Sequence, residues 1–223
     1  MPPSADGPGG VLSGYPIVLV DLVNTPCVVI GGGEVAARKV AALLQAGARP
    51  VVISPTLCKR LRSQVEAGQI DAMEREYQIG DLAGVRLVIA ATDDPQTNET
   101  VWREAQAAGC LVNVVDDPPR CNFYVPATVH RGDLTLSIST GGKSPLLARR
   151  IRQALETQFD PSYGDYVELL GELRPRIQEQ VADPARRKRF WSALLDSDIL
   201  ALLQAGDART ARQRAEEIFE TFR

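Results

Sequence analysis

Short apolar runs alternate with amphipathic stretches along the first half of the chain. Four runs have the composition of buried strands, and one weaker run lies between the second and the third; in chain order they are Cys27–Ile30, Val51–Ile53, Ile70–Met73 (the weaker one), Leu87–Ala91 and Leu111–Val115. Between the first two, the spacing predicts a helix over residues 35–46, with Val35, Val40, Leu43 and Leu44 on one face. Continuous apolar strands separated by helices are typical of a parallel sheet that is covered on both faces. The pattern therefore predicts an α/β fold.

Capping residues mark where the predicted helices begin and end. Gly47 stands where a left-handed residue would close the first helix. Asp94 followed by Pro95 predicts the start of another helix, and Gly109 predicts its end.

The pattern changes after Asp116. Residues 123–129 and 134–139 are predicted as strands joined by a turn at Arg131-Gly132-Asp133. Ser144 and Pro145 then predict the start of a helix over Leu146–Leu155. From about Pro161 onward the sequence is helical and charged in character, without β-branched runs.

Composition excludes several classes of protein. The 25 basic and 28 acidic residues give a net charge of −3, which disfavours a general nucleic-acid binder. The four cysteines form no C-x-x-C pair, so no zinc site is predicted, and the lone His130 excludes mechanisms that need two histidines. No apolar run is long enough for a membrane helix. Residues 1–14 lack the features of a signal peptide and are predicted to be a disordered tail, so we expect a cytoplasmic protein.

The sharpest local signal is a glycine-rich turn between the first strand and the first helix. Gly31, Gly33 and Ala36 form a G-x-G-x-x-A pattern in that position. Gly31 would permit the tight turn, Gly33 would let the backbone approach a pyrophosphate, and Ala36 would let the helix pack close to the sheet. The helix N-terminus would then bind the phosphate charge. The alternative is a tight turn with no ligand.

Two other strand ends bear on a dinucleotide site. The second strand is followed by Ser54 rather than by the acidic residue that usually binds the adenine ribose, and Arg49 precedes that strand. This position leaves the choice between NAD and NADP open. Thr92 follows the fourth strand at the ligand-binding edge of the sheet, although Thr92-Asp93-Asp94 also fits a helix N-cap.

A basic segment occupies the middle of this acidic chain. Residues 120–152 contain six basic residues and one acid, which leaves −8 for the rest of the chain; the basic residues are Arg120, Arg131, Lys143, Arg149, Arg150 and Arg152. Gly142-Lys143-Ser144 ends like an ATP-binding loop, but Ser137 stands where that loop needs a glycine. The segment therefore predicts a carboxylate site at a helix N-terminus, and a solvated helix face is the alternative.

Two acids follow the last strand of the parallel series. Asp116 and Asp117 would lie beside the cofactor crevice, where one could act as a general base. An Asp-Pro turn without catalytic function explains the same residues equally well.

Together these segments resemble the precorrin-2 dehydrogenases, which form the N-terminal module of siroheme synthases. The resemblance runs from Ile17 to about Trp191, and the matching segments are GGGEVAARK, LLQAGARPVVISP, IAATDD, NVVDDPPRCNFYVPA, SISTGGKSPLLARRIR and RRKRFW. It implies a Rossmann-type NAD-binding domain over residues 15–125, a small dimerisation region over 126–160 and a C-terminal helical domain over 161–223. It also implies a homodimer.

The resemblance implies NAD-dependent oxidation of precorrin-2, a tetrapyrrole with several carboxylates, to sirohydrochlorin. The catalytic aspartate of the family matches Asp116. The residues that match cofactor contacts, or lie at the predicted cofactor crevice, are Gly31, Gly32, Gly33, Glu34, Val35, Pro55, Thr56 and Thr92. The predicted substrate-binding residues are Thr140, Gly141, Gly142, Lys143, Ser144 and Arg149. Thr140 stands where the fused bacterial enzymes carry a serine.

Three other activities are considered. Some members of the family also insert Fe²⁺ into sirohydrochlorin, with nitrogen ligands that the macrocycle provides, and the sequence neither supports nor excludes this. A regulatory module that senses NAD(H) without turnover is the main alternative. A dehydrogenase of small hydroxy acids would have to use His130 alone for its proton relay.

Overall fold

The computed structural model describes residues 15–223, and the tail predicted over residues 1–14 lies outside the described residues. The chain divides into two compact units, of which the first ends at Val125 and the second begins at Pro126. The finer division of the second unit between residues 160 and 161 stays a prediction. Within residues 15–223, no helix combines the length and apolar character needed to cross a membrane.

The first unit contains a five-stranded parallel sheet, so the predicted α/β architecture of the Rossmann type is confirmed. Its elements are β1 (Cys27–Ile30), α1 (Glu34–Gln45), β2 (Val51–Ile53), α2 (Lys59–Glu66), β3 (Asp71–Met73), β4 (Leu87–Ala90), α3 (Pro95–Ala108) and β5 (Leu111–Val114), with single 3-10 turns at Leu22–Asn24 and Pro118–Arg120. The strand order is β3-β2-β1-β4-β5, and every neighbouring pair is parallel. All residues of β1 and β4 are buried.

Alternate residues of the strands pack into two separate cores. Val29 and Val52 lie in one core with residues of α1 and α2. Val28 and Val88 lie in the other core with Val101 and further residues of α3. The sheet is therefore covered on both faces, which explains why β1, β2 and β4 are continuously apolar rather than alternating.

Helix α1 buries a somewhat different face from the one predicted. Its buried residues are Ala36, Ala37, Val40 and Leu43. Val35 instead lines a cavity and Leu44 is only partly buried, because the two alanines let the helix lie close to the sheet. Gly47, with φ +81°, adopts the predicted left-handed conformation just after the helix.

The predicted bounds of α3 are confirmed. The Asp94 carboxylate accepts hydrogen bonds from the backbone amides of Gln96 and Thr97 and so caps the first turn. Gly109 closes the helix with φ +68°. Here the local capping residues alone determine the helix ends.

The strand predicted over residues 123–129 is wrong in its first half. Asn122 Oδ1 accepts a hydrogen bond from Val112 N at 2.7 Å, and Asn113 Nδ2 donates to Phe123 O at 3.0 Å. These side chains hold residues 122 and 123 at the edge of β5, and Pro126 has no amide to donate to a ladder. The strand therefore begins only at Ala127.

The second unit consists of an antiparallel hairpin and five helices. Its elements are β6 (Ala127–Arg131), β7 (Leu134–Ile138), α4 (Pro145–Gln158), α5 (Ser162–Gln180), α6 (Pro184–Leu195), α7 (Ile199–Gln204) and α8 (Ala208–Phe222). Helices α5 to α8 share one core that includes Ile177, Phe190, Leu194 and Phe219. The hairpin turn packs closely on α5, since a Cβ at Gly132 would lie 3.2 Å from Gly164 Cα. The predicted helical character after Pro161 is confirmed.

Candidate functional site

A cavity of about 580 Å³ lies in the first unit at the carboxyl ends of β1, β2 and β4. All eight residues predicted to contact the cofactor line it; they are Gly31, Gly32, Gly33, Glu34, Val35, Pro55, Thr56 and Thr92. Open parallel sheets bind their ligands at this edge, where the strand order reverses. The structure thus brings the cofactor-site residues together in one cavity.

The three glycines of the turn have different surroundings. A Cβ at Gly31, where φ is +115°, would lie 2.3 Å from Ala91 O. A Cβ at Gly32 would lie 1.8 Å from Thr56 O, a clash that the sequence pattern did not predict. A Cβ at Gly33 would meet no atom within 4 Å. The protein backbone thus requires the first two glycines, whereas the third leaves open space at the cavity.

Backbone hydrogen bonds fix this turn against the neighbouring strand and loop. Gly31 N donates to Ile53 O at 2.9 Å, and Cys58 N donates to Gly32 O at 2.7 Å. Helix α1 begins directly after Gly33, and no side chain among the described residues caps its first amides. These amides carry the positive end of the helix dipole, so the cavity offers a site for an anion.

Ser54 replaces the usual ribose-binding acid and has a structural role instead. It is buried, and its hydroxyl donates to Thr56 O at 2.9 Å. Arg49 lies at the other end of β2, where it donates to Gly68 O and pairs with Asp71 at 3.8 Å. Arg49 is therefore not placed to select between NAD and NADP, and Ser54, which lines the cavity, carries no charge with which to do so.

Thr92 has both of the roles that its sequence position allows, at the ligand-binding edge of the sheet and at a helix N-terminus. It lines the cavity, and its hydroxyl accepts a hydrogen bond from Asp94 N at 2.8 Å. Hydrogen bonds from the Thr97 side chain and from the amides of Gln96 and Thr97 lower the pKa of Asp94. Thr92 therefore supports the α3 N-terminus and contributes to the cavity wall.

Asp116 and Asp117 have different roles in the turn after β5. Asp117 pairs with Arg120, which also pairs with Glu99 and lies 5.9 Å from the Trp102 ring. Asp116 is exposed, forms no ion pair among residues 15–223, and adopts a left-handed conformation with φ +60°. It is not among the residues that line the cavity.

A left-handed conformation is uncommon for a residue other than glycine and is concentrated at functional sites. In Asp116 this conformation has a local cause, because Asp117 N donates to Val114 O at 3.2 Å and closes a turn around residues 115 and 116. What distinguishes Asp116 from Asp117 is its exposed carboxylate without an ion-pair partner among residues 15–223.

The predicted substrate-binding residues lie in the second unit, in the loop before α4 and on its first turns. Thr140 Oγ1 accepts a hydrogen bond from Ser144 N at 3.0 Å, and the Ser144 side chain caps α4 by accepting from Leu147 N. Gly141 and Gly142 both have positive φ, at +60° and +77°. The loop is thus a tight turn that presents a capped helix N-terminus.

Three of the six basic residues in the basic segment have structural partners. Arg120 pairs as described, Arg131 donates to Glu156 O and Phe159 O at the end of α4, and Arg152 pairs with Glu156. The remaining three are exposed and form no salt bridge in the described part of the chain; they are Lys143, Arg149 and Arg150. The cations that remain for an anionic ligand are therefore fewer than the sequence count indicates.

Sequence reasoning missed part of the cavity wall. Glu76 and Tyr77 line it from the loop between β3 and β4, which has no motif to mark it. This loop is held by Glu104 of α3, whose carboxylate accepts from the Tyr77 hydroxyl and from two backbone amides. Over residues 15–223, no group of three or more His, Cys, Asp or Glu side chains is arranged to hold a metal ion.

Three family models match the chain in sequence. A model described as "NAD(P)-binding" matches residues 18–127. A model of the "Sirohaem biosynthesis protein central" region matches residues 131–158, and one of the "Sirohaem synthase dimerisation region" matches residues 162–219. The three matches follow one another along nearly the whole described chain.

Curated relatives and a solved structure agree with these models. "Siroheme synthase 1" of Aeromonas salmonicida (strain A449) is 40% identical over 206 residues, which are 92% of this chain and 44% of that protein. "Siroheme synthase" of Pseudomonas paraeruginosa is 44% identical over 189 residues, which are 85% of this chain and 41% of that protein. The chain thus spans less than half the length of these relatives. The solved structure of "SirC, precorrin-2 dehydrogenase" matches with a TM-score of 0.75 and 30% identity, over 91% of this chain and 100% of that one.

Proposed function

This chain belongs to the family of precorrin-2 dehydrogenases and the corresponding part of siroheme synthases, and on that premise we propose that it oxidises precorrin-2 to sirohydrochlorin with NAD⁺. The observation that carries the proposal is the cavity at the glycine turn. Gly33 leaves space there that no protein atom fills, and the uncapped N-terminus of α1 faces it. This cradle fits the pyrophosphate of a dinucleotide.

The first unit is proposed to bind the cofactor. When bound, NAD⁺ supplies the acceptor for a hydride from a saturated ring carbon of the substrate. The residues proposed to hold it are those that line the cavity, with Gly31 and Gly32 forming the turn, Glu34 and Val35 the start of α1, and Pro55, Thr56 and Thr92 the remaining wall.

Asp116 is the residue proposed to accept the proton that leaves with the hydride. Its carboxylate has no ion-pair partner among the described residues, whereas the neighbouring Asp117 is neutralised by Arg120. Removal of one hydride and one proton accounts for the two hydrogens lost from the macrocycle. The exposure of this carboxylate, together with its match to the catalytic aspartate of the family, supports its role as the base.

The second unit is proposed to bind the carboxylates of the tetrapyrrole. Lys143 and Arg149 are exposed cations without salt-bridge partners in residues 15–223. Lys143 lies in the turn that Thr140, Gly141, Gly142 and Ser144 also form, and Arg149 lies in α4. Charge-assisted hydrogen bonds from such groups orient a polycarboxylate. The match to the dimerisation region supports a homodimer as the working form.

Other assignments rest on the sequence prediction alone. The three-part division after the tail and the cytoplasmic location are kept as proposals. Insertion of Fe²⁺ into sirohydrochlorin stays a prediction, and adding Fe²⁺ or Co²⁺ to the product of the dehydrogenase reaction would test it by the change in absorption spectrum.

The proposed activity is tested by anaerobic incubation with precorrin-2 and NAD⁺, followed through NADH absorbance and the sirohydrochlorin spectrum. We expect turnover by the unmodified protein and a loss of about a hundredfold or more in kcat for Asp116→Asn, because proton transfer by a positioned base contributes that much. NAD⁺ affinity should not change. Asp117→Asn is the matched control and should keep most of the turnover.

Three results would contradict this proposal in different ways. Normal NAD⁺ binding without any oxidation of precorrin-2 would favour a sensor of NAD(H). Near-normal turnover by Asp116→Asn would show that another group accepts the proton. Oxidation of a small hydroxy acid instead of precorrin-2 would identify the third activity considered.

A further inference from the structure

One carboxylate in the wall of the cavity has no structural role. Glu76 is exposed, lines the cavity, and its carboxylate forms neither a salt bridge nor a hydrogen bond with residues 15–223. Its position is nevertheless defined, because Arg75 Nη1 donates to the Glu76 backbone oxygen at 2.9 Å. A side chain placed at a cavity without a protein partner is available to a ligand.

The sheet places Glu76 next to the position where Rossmann folds bind the adenine ribose. Strands β2 and β3 are parallel neighbours with Ile53 opposite Met73, and Ser54 N donates to Met73 O at 3.2 Å. Glu76 follows β3 as Thr56 follows β2, and both line the same cavity. The acid that is absent after β2 is thus replaced by one that comes from the adjacent strand end.

The other acids of the cavity are placed for different contacts. Glu34 is the first residue of α1, at the turn proposed for the pyrophosphate. Asp94 is occupied as the N-cap of α3, and Asp93 follows β4, on the opposite side of β1 from β2 and β3. Of the four acids, Glu76 is the one that follows a strand on the β2 side of β1, which is the side where Rossmann folds bind the adenosine.

The acidic charge of the cavity wall would repel the 2′-phosphate that distinguishes NADP from NAD. The charged residues that line the cavity are all acidic, namely Glu34, Glu76, Asp93 and Asp94. The neighbouring Arg75 is committed to Asp81 through two hydrogen bonds of 2.7 Å. No cation is therefore positioned in this wall to pair with the 2′-phosphate of NADP, which binding sites for that cofactor usually supply as an arginine.

We propose that Glu76 is the residue that selects the cofactor, by accepting hydrogen bonds from the adenosine ribose hydroxyls of NAD and repelling the 2′-phosphate of NADP. This inference rests on the proposed function, since it assumes that the cavity binds a dinucleotide. Charge-assisted hydrogen bonds from hydroxyls to a carboxylate are among the stronger polar contacts.

The test measures the Kd of NAD⁺, NADP⁺ and 2′-deoxy-NAD⁺ by calorimetric titration of the full chain. For Glu76→Gln we expect the Kd of NAD⁺ to rise about tenfold, since a neutral amide accepts hydrogen bonds more weakly than a carboxylate. The same substitution should raise the Kd of 2′-deoxy-NAD⁺ much less, because this analogue lacks the adenosine 2′-hydroxyl and therefore one of the proposed hydrogen bonds to Glu76. The Kd of NADP⁺ should fall, because the repulsion is removed.

Glu74→Gln is the matched control, since Glu74 lies two residues away and pairs with Arg62 on the surface rather than lining the cavity. It should bind all three nucleotides as the unmodified chain does. Both variants should unfold at nearly the original temperature. If Glu76→Gln binds NAD⁺ and NADP⁺ like the unmodified protein, the inference is wrong while the proposed function stands. If the unmodified chain binds neither NAD⁺ nor NADP⁺, both the inference and the proposed function are wrong.

Discussion

Gly33 differs from its two neighbours in the turn because only its missing side chain leaves open space. A Cβ at Gly31 or Gly32 would clash with a backbone oxygen at 2.3 or 1.8 Å, whereas one at Gly33 would touch nothing. The backbone of Gly33, with φ −82° and ψ −176°, suits any residue. The protein itself therefore does not require glycine at this position, as is expected where the proposed ligand approaches the backbone.

This difference predicts opposite behaviour for two substitutions. Gly33→Ala should keep its fold and raise the Kd of NAD⁺ about tenfold or more, because the methyl group occupies space proposed for the pyrophosphate, and tenfold corresponds to about 1.4 kcal/mol. Gly32→Ala should instead lower the unfolding temperature, because the loop at Thr56 must move. Thermal unfolding and nucleotide titration of both variants separate the two effects. A Gly33→Ala protein that binds NAD⁺ normally would contradict the assignment of the cradle.

Residue-level prediction succeeded where a local pattern carries the information. The glycine turn, the Asp94 cap and the Ser144 cap all act within a few residues, and the structure contains each of them. The role of Gly32 was not predictable in this way, since its close neighbour Thr56 lies 24 positions along the chain. The role of Asp116 as a base rests on the resemblance and stays a prediction.

At the level of elements, one side chain of α3 is bonded to the loop between β3 and β4 at three points. The Glu104 carboxylate accepts hydrogen bonds from the Tyr77 hydroxyl at 2.5 Å and from the amides of Gly80 and Leu82 at 3.0 and 3.1 Å. Burial, together with this carboxylate, raises the pKa of Tyr77, which keeps the phenol in its donating form. The loop that carries Glu76 is thus attached to α3 as well as to β3, where Arg75 N donates to Met73 O at 2.8 Å.

Glu104→Ala should accordingly destabilise the protein. Removal of the carboxylate leaves the Tyr77 hydroxyl and two amides without their acceptor, which costs about 2–3 kcal/mol. Urea unfolding would measure the loss in the free energy of unfolding. Arg103→Ala, on the exposed neighbouring residue, should change it by less than about 0.5 kcal/mol. Equal effects of the two substitutions would contradict the anchoring role of Glu104.

The bounds of elements were predictable where capping residues or apolar runs define them. All five strands of the parallel sheet coincide with the predicted runs to within one residue. The runs are clearest for β1 and β4, which are buried throughout, and weakest for the mostly exposed β3. The prediction of a strand over residues 123–129 was wrong in its first half, because Asn113 and Asn122 form contacts across ten positions that composition does not reveal. The contribution of Glu76 and Tyr77 to the cavity wall was missed for a similar reason, since their loop is held by Glu104, more than 20 positions along the chain.

At the level of the whole molecule, both compact units carry carboxylates whose pKa is lowered by arginines. Arg75 lowers the pKa of Asp81 in the first unit, and in the second unit Arg212 and Arg176 lower those of Glu172 and Glu216. A carboxyl whose pKa is lower in the folded state stabilises the fold above its ordinary pKa. That contribution is lost as the pH falls through the folded pKa.

We therefore expect the unfolding temperature to fall as the pH is lowered from about 5 to 3, around and below the ordinary carboxyl pKa. Differential scanning calorimetry would measure it. Asp81→Asn should be less stable than the unmodified protein at pH 7 and should lose less stability on acidification, because one of the titrating groups is absent. An unfolding temperature that is constant over this range would show that these ion pairs contribute nothing.

The β1–α1 turn is fastened on both sides by the hydrogen bonds from Gly31 N to Ile53 O and from Cys58 N to Gly32 O. Its conformational entropy is therefore lost when the sheet folds, and not when a ligand arrives. Ordering a backbone costs about 1–2 kcal/mol per residue, which would otherwise be subtracted from the binding free energy. A dinucleotide entering this cavity meets a preorganised receptor, so its affinity reflects the contacts themselves rather than the cost of forming the loop.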